Sequence, residues 1–298
     1  MRAVLWSAVP NCNARDTARD LPRGLSHSAA MHSTAMNEDR RVGRDRRRGT
    51  SAAEALELRG ALATGAIEIL FQPQYAAETG AMVGGEALAR WTHPQRGLLD
   101  GGELFAAADR AGEGESLWRH VSHAAMAVAA RWPAPLRLSL NVTPAELAAD
   151  HFPDSVAAML VASGLPPERL TLEITEQSLV ADLESSAHKL RQLADLGSRI
   201  ALDDFGAGFC NFRYLKRLPL HYLKLDRSMV QGIGEDRRDL EVLRGIVAMA
   251  SALDLAVVAE GIENEGQRLA VVREGCAAWQ GFLGAPPLTA TEFAARIG

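Results

Sequence analysis

The sequence predicts an α/β chain closing into a TIM-like (β/α)8 barrel, and three observations support this. Eight short aliphatic runs with strand alternation follow one another between residues 67 and 282, and amphipathic stretches fall between most of them. Ala and Leu are abundant while aromatics are only 5%, which favours helices packed on short aliphatic strands over an all-β sandwich. No glycine-rich phosphate fingerprint follows the first run, which argues against a doubly wound open sheet.

In chain order, residues 1–50 stand apart. They are rich in Arg, Ser, His and Asn, lack periodicity, and read as a disordered basic tail. Ser51, with Glu54 three residues on, is placed to cap a helix through about Ala63. The predicted strands are Ile67–Gln72, Met82–Trp91, Leu136–Val142, Leu170–Thr175, Arg199–Asp204, Tyr222–Asp226, Ala256–Glu260 and Ala277–Phe282. Helical periodicity marks Leu183–Leu196, Asp236–Leu253 and Glu265–Glu274. His93, followed by Pro94, reads as part of a surface loop. The barrel domain is therefore 51–298.

Charge narrows the function. The tail holds ten Arg against five acidic residues, a net +5. The chain as a whole carries −5, so the remainder carries −10. So acidic a domain is a poor partner for a nucleic-acid polymer. No apolar run reaches the roughly 18 residues of a membrane span, and the N-terminus lacks a secretory pattern, so no membrane insertion is expected. The three cysteines, Cys12, Cys210 and Cys276, are too scattered for a disulfide framework or a zinc site, which suits a reducing cytoplasm.

Alternation along the strands then sorts the side chains. Leu138 and Leu140 oppose Ser139 and Asn141. Leu170, Leu172 and Ile174 oppose Thr171, Glu173 and Thr175. Ile200 and Leu202 oppose Ala201 and Asp203. Leu223 and Leu225 oppose Tyr222, Lys224 and Asp226. In a barrel the aliphatic set faces the helices and the polar set the interior. The polar members cluster at the C-terminal strand ends, where barrel enzymes build their sites. Five carboxylates, Glu86, Glu173, Asp203, Asp204 and Glu260, thus converge on one mouth. Left unpaired they repel. Divalent cations remove that cost, and hard oxygen donors including the Asn141 carbonyl suit Mg2+ or Mn2+ better than zinc. Two such ions are the usual device for phosphodiester hydrolysis. Lys224, inside an apolar strand, reads either as an aid to catalysis or as a buried lysine neutralising Asp226 or a neighbouring acid.

Motifs in series carry a resemblance. Glu86-Ala87-Leu88-Ala89-Arg90-Trp91 is similar to the motif that names the EAL family of cyclic di-GMP phosphodiesterases. Phe71-Gln72-Pro73, Ser139-Leu140-Asn141, Glu173-Ile174-Thr175-Glu176, Asp203-Asp204-Phe205-Gly206, Leu223-Lys224-Leu225-Asp226, Ala259-Glu260-Gly261-Ile262-Glu263 and Gln280-Gly281-Phe282 resemble its other motifs in the same order. A lone EAL tripeptide says nothing; eight motifs in series are highly specific.

The resemblance implies a TIM-like barrel with one antiparallel strand and hydrolysis of cyclic di-GMP to linear pGpG. It implies two metal ions, Mg2+ or Mn2+, on Glu86, Asn141, Glu173, Asp203, Asp204 and Glu260. Lys224 and Glu260 take catalytic roles. Gln72, Leu88, Arg90, Asp226 and Gln280 match substrate-binding positions. Glu176 and Glu263 match residues that steady the loop after Asp203-Asp204, and a homodimer through the barrel is implied. The loop departs from the commonest pattern at Cys210-Asn211, without losing a metal-ligand position. The alternative is a receptor that binds cyclic di-GMP without cutting it and signals through a protein partner. An unrelated barrel hydrolase with acidic strand ends is a remoter third reading.

Overall fold

The computed structural model of the chain describes residues 52–179, 182–207 and 212–297, with side chains from 215 onward in the last segment. The expected tail at 1–50, the Ser51 cap and the Cys210-Asn211 departure lie outside the described residues.

Helix α1 spans 52–64. Strand β1 (Ile67–Ala76) turns back into β2 (Met82–His93), followed by β3 (Gly97–Leu99), α2 (Gly101–Ala111) and α3 (Gly114–Ala129). Then come β4 (Arg137–Val142), α4 (Pro144–Ala148), α5 (Phe152–Ser163), β5 (Leu170–Thr175), α6 (Leu183–Asp195) and β6 (Arg199–Phe205). The chain continues through α7 (Phe212–Arg217), β7 (Tyr222–Leu225), α8 (Arg237–Ser251), β8 (Ala256–Ala259), α9 (Glu265–Arg273), β9 (Ala278–Gln280) and α10 (Ala290–Ile297).

Eight of these strands close a barrel in the order β1-β9-β8-β7-β6-β5-β4-β2, with β1 also pairing β2; β3 lies outside on β2. Strand β1 runs antiparallel to both of its barrel neighbours, β2 and β9, whereas every other barrel pair is parallel. The expected reversed strand is therefore the first.

Helix ends follow the sequence. The Asp182 side chain accepts from Ser185 N at the start of α6, and Asp236 accepts from Arg238 N at the start of α8. Asn264 and Gln267 close a reciprocal capping box on α9. Leu138, Leu170, Leu172, Ile174, Ile200, Leu202, Leu223 and Leu225 are fully buried under the helices. Each contributes roughly 1.5–3 kcal/mol of apolar burial. The opposing set, Ser139, Thr171, Glu173, Ala201, Tyr222 and Lys224, lines a cavity of about 60 Å3 inside the barrel. Strand parity thus sorted the two sets as expected.

Two expectations need correction. The first strand does not stop at Gln72: Pro73 lies opposite Gly85 on β2, and pairing with β9 begins only at Gln74. A proline is tolerated there because no β9 partner asks for its missing N–H. His93 is not in a surface loop. It ends β2, is buried, and its Nε2 lies 3.3 Å from Glu57 Oε2. The cause is β3, whose three residues turn back onto β2 with Leu99 opposite Trp91.

Candidate active site at the C-terminal mouth of the barrel

The parallel ladder sets the height of each acid. Glu86 lies opposite Ser139, Asn141 opposite Glu173, and Thr175 opposite Asp203. Glu86, Glu173 and Asp203 are buried, while Asn141 and Asp204 are exposed at the rim. The β6–β7 register slips between Leu202 and Phe205, and Asp204 adopts a left-handed φ of 56°. Aspartate tolerates that conformation better than most residues. The irregularity lets consecutive aspartates serve one mouth, and Asp203 Oδ1 accepts from Asp204 N at 2.9 Å.

Lys224 stands at the centre. Its Nζ lies 2.5 Å from Glu173 Oε2, 2.7 Å from Glu260 Oε1, 3.2 Å from Asp203 Oδ1 and 3.6 Å from Glu86 Oε2. The side chain is 2% exposed, so these carboxylates rather than water solvate it. Asp226, the other acid proposed for it, caps the turn after β7 instead, accepting from Ser228 N at 3.0 Å and Ser228 Oγ at 2.5 Å. The Glu260 contact is part of the same buried ion-pair cluster, with burial raising and Lys224 lowering the Glu260 carboxyl.

The electrostatics show a shortage of positive charge. Burial pulls the Lys224 ammonium down, but Asp203, Glu173, Glu260 and Glu86 outweigh it and hold Lys224 well above the usual lysine range. Burial pushes Glu173 well above the carboxylate range despite Lys224, with Glu86, Asp203 and Glu260 adding to the rise. Burial likewise lifts Glu260 to about 8 against the pull of Lys224. Asp204 is raised by burial and then by Asp203. Glu86 goes the other way. Burial raises it, but Lys224 and the amides of Gln280 and Asn141 more than compensate. Those amides are the difference: Asn141 Nδ2 donates to Glu86 Oε1 at 2.7 Å and Gln280 Nε2 to Glu86 Oε2 at 2.6 Å. Glu173 accepts from Lys224, with no second side-chain donor among the described residues.

Among the described residues no three acidic, His or Cys side chains are arranged to enclose a metal ion, because the Lys224 ammonium stands between the acids. The donor chemistry nevertheless fits divalent cations. All donors are hard oxygens, and one lysine faces four carboxylates, which leaves an excess of negative charge at the mouth.

The remaining candidates divide. Gln280, held at Gly281 by a backbone that passes within 2.2 Å of where a Cβ would stand against Ile262, is buried and orients Glu86. Gln72 Nε2 donates to Ala285 O at 3.3 Å, the backbone-satisfying alternative. Leu88 and Arg90 are half-buried on β2; Arg90 Nη1 donates to Ala89 O, and among the described residues no ion pair holds it. Glu176 opens the turn after β5, and Glu263 pairs with Arg227 at 2.6 Å. Part of the loop they were expected to steady, 208–211, lies outside the described residues.

Sequence reasoning missed Gln74. Its Nε2 donates to Gln280 Oε1 at 2.9 Å and to Ser139 Oγ at 3.4 Å, so it positions the amide that positions Glu86. The signal was there, since Gln74 shares a strand face with Gln72. Trp118, whose Nε1 donates to Asn141 O at 2.9 Å, had no such signal.

The chain is an α/β barrel with an acidic mouth, and its likeness to known proteins identifies the family. The EAL domain family matches residues 55–287, and the chain belongs to that family. It is 33% identical over 235 residues to the cyclic di-GMP phosphodiesterase RocR of Pseudomonas aeruginosa, covering 78% of this chain and 60% of RocR. It is 35% identical over 245 residues to the bifunctional diguanylate cyclase/cyclic di-GMP phosphodiesterase MucR of the same organism, covering 81% of this chain and 36% of MucR. The solved PaMucR phosphodiesterase in complex with c-di-GMP matches with a TM-score of 0.76 at 35% identity, over 81% of this chain and 99% of that one. Against the full-length relatives the chain is short, spanning 28% of a Caulobacter vibrioides signaling protein with which it is 38% identical over 76% of its own length.

Proposed function

We propose that this chain hydrolyses cyclic di-GMP to linear pGpG at the mouth of its barrel. The observation that carries the reading is the ring of Glu86, Glu173, Asp203 and Glu260 around the buried Lys224. The names of RocR and MucR supply the substrate class.

Glu86, Asn141, Glu173, Asp203, Asp204 and Glu260 are the residues that would hold two divalent ions, Mg2+ or Mn2+. Bound there, the ions supply the charge that neutralises the phosphodiester and acidifies a water. The chain's own residues do the rest. Lys224 keeps its proton under the pull of four acids, so it acts as a fixed cation beside the attacking water and the phosphate. Glu260, made more basic by burial, takes the proton of that water. Gln280, aligned by Gln74, and Asn141 fix the two oxygens of Glu86. Arg90 offers a guanidinium without an acidic partner to the second phosphate. Leu88, Gln72 and Asp226 border the substrate, while Glu176 and Glu263 steady the loop after Asp204. A homodimer through the barrel and a cytoplasmic location complete the proposal. In its support, no helix among the described residues is long and apolar enough to cross a membrane.

The test is turnover with product identification. Purified protein supplied with Mn2+ or Mg2+ converts cyclic di-GMP to pGpG, and a chelator stops it. Binding of the dinucleotide without turnover under either metal would refute hydrolysis and leave the receptor alternative.

A further inference from the structure

Away from the mouth, a cavity of about 460 Å3 opens between α3 and the α4–α5 segment. That volume suits a small organic ligand. Trp118, Phe152 and Met159 give it an apolar wall, and Glu115, Glu146 and His151 are its polar members, with Arg119 at the rim.

Glu146 is the unusual one. It is 5% exposed, it lines the cavity, and its Oε2 is a buried acceptor with no hydrogen-bond partner. A buried carboxylate oxygen without a donor is costly and calls for one. The nearby cations do not serve it. Arg119 pairs with Glu115 at 2.5 Å, and His151 Nε2 lies 3.5 Å from the same Glu115. Among the described residues no ion pair joins either to Glu146. Burial, with Asp109 and Glu115 adding negative charge, lifts the Glu146 carboxyl to about 7. Backbone N–H groups of Glu146 and Thr143 pull the other way, so the cavity is an apolar slot that ends on an acid whose Oε2 has no hydrogen-bond partner among the described residues.

We infer that this cavity is a second binding site, for a small organic cation: a protonated amine carried on an apolar body, the ammonium donating to Glu146 and the body packing on Trp118, Phe152 and Met159. An anion is disfavoured by three neighbouring carboxylates, and a neutral alkyl ligand leaves Oε2 without a charged donor. The site does not depend on the reaction proposed for the mouth. It does adjoin it, since Trp118 donates to Asn141 O, and Asn141 in turn holds Glu86.

The test uses n-hexylammonium and n-hexanol, which share a body and differ in charge, titrated into the whole protein. Binding is read from the indole N–H resonance of Trp118, assigned by its loss in Trp118→Phe, with Trp91 as a remote control. Hexylammonium is expected to move the Trp118 resonance saturably and to bind at least about tenfold more tightly than hexanol, the advantage of a charged hydrogen bond. Glu146→Gln is expected to erase that preference while hexanol binding persists. Equal affinity for the two probes, or no saturable shift at Trp118, overturns the inference. The wild-type comparison decides the matter even where the variant fails to fold. Turnover of cyclic di-GMP plays no part in the readout, so failure here and failure of the proposed reaction are separate results.

Discussion

The two ends of the barrel handle buried charge in opposite ways. At the base, where strands begin, Arg169 donates from Nε to Leu136 O at 2.7 Å and from Nη2 to Ala129 O at 2.9 Å. Arg137 Nη1 donates to the Tyr222 hydroxyl at 2.5 Å, and His221 Nδ1 accepts from Ile200 N at 3.1 Å. Burial, reinforced by Arg199 and Arg137, depresses His221 and favours its neutral form. Cations here meet neutral oxygens. At the mouth one lysine meets four carboxylates. At the base Arg169 and Arg137 find neutral acceptors, although Arg199 Nε has no hydrogen-bond partner among the described residues. The mouth carries an excess of negative charge, the feature on which the proposed metal site rests.

The comparison breaks first at Glu86. Glu86→Ala is expected to cut turnover by more than about 100-fold, beyond the cost of losing a supporting partner of a metal ligand. A wild-type rate would remove Glu86 from the site. Next is Lys224→Met, which strips four acids of their common cation. Turnover should vanish, and the metal-free protein should lose about 3–5 kcal/mol in denaturant melts. Added Mn2+ should then raise the melting temperature of the variant more than that of wild type. Base residues behave differently. Arg169→Met removes the side-chain donor of Leu136 O and Ala129 O, of which Ala129 O keeps Trp132 N, and should cost about 1–3 kcal/mol, yet kcat per folded molecule should stay within about twofold of wild type.

A pH series sharpens the contrast further. In the metal-free protein Glu260 titrates at about 8, above its ordinary 4.5. Between those values the unfolded chain has released a proton that the folded chain still holds, so stability falls as pH rises through the window and levels off above it. Melting temperatures measured from pH 5.5 to 8.5 should show that decline, and Glu260→Gln should lessen it, leaving the share that the raised Glu173 contributes. The smallest effect is expected at the surface. Arg268→Ala, which breaks the exposed pair with Glu265, should leave the melting temperature at its wild-type value.

Much of this was legible in the sequence because strand parity is a local rule. Ser139, Glu173, Asp203 and Lys224 were assigned to the interior from alternation alone, and Leu170–Thr175 was bounded as observed. The periodic stretches Asp236–Leu253 and Glu265–Glu274 proved to be helices, which the structure shows capped by Asp236 and Asn264. What stayed hidden depends on partners distant in the chain. Strand β1 continues past Pro73 because β9 pairs only from Gln74, and nothing local says so. Strand β3 is too short to show a period, so His93 read as loop. Lys224 was expected to neutralise Asp226 or a neighbouring acid, and alternation could not choose between them. Asp226 turns to Ser228, and the neighbouring acids are the partners, from β2, β5, β6 and the end of β8. The Glu146 cavity joins helices whose sequences carry no motif for it.

Calorimetric titration of the metal-free protein with Mn2+ tests the central claim most directly. This account expects two ions bound per chain, with binding lost when Asp203 and Asp204 are both changed to Asn. Heat of binding that is absent in wild type, or unchanged in the double variant, would contradict it.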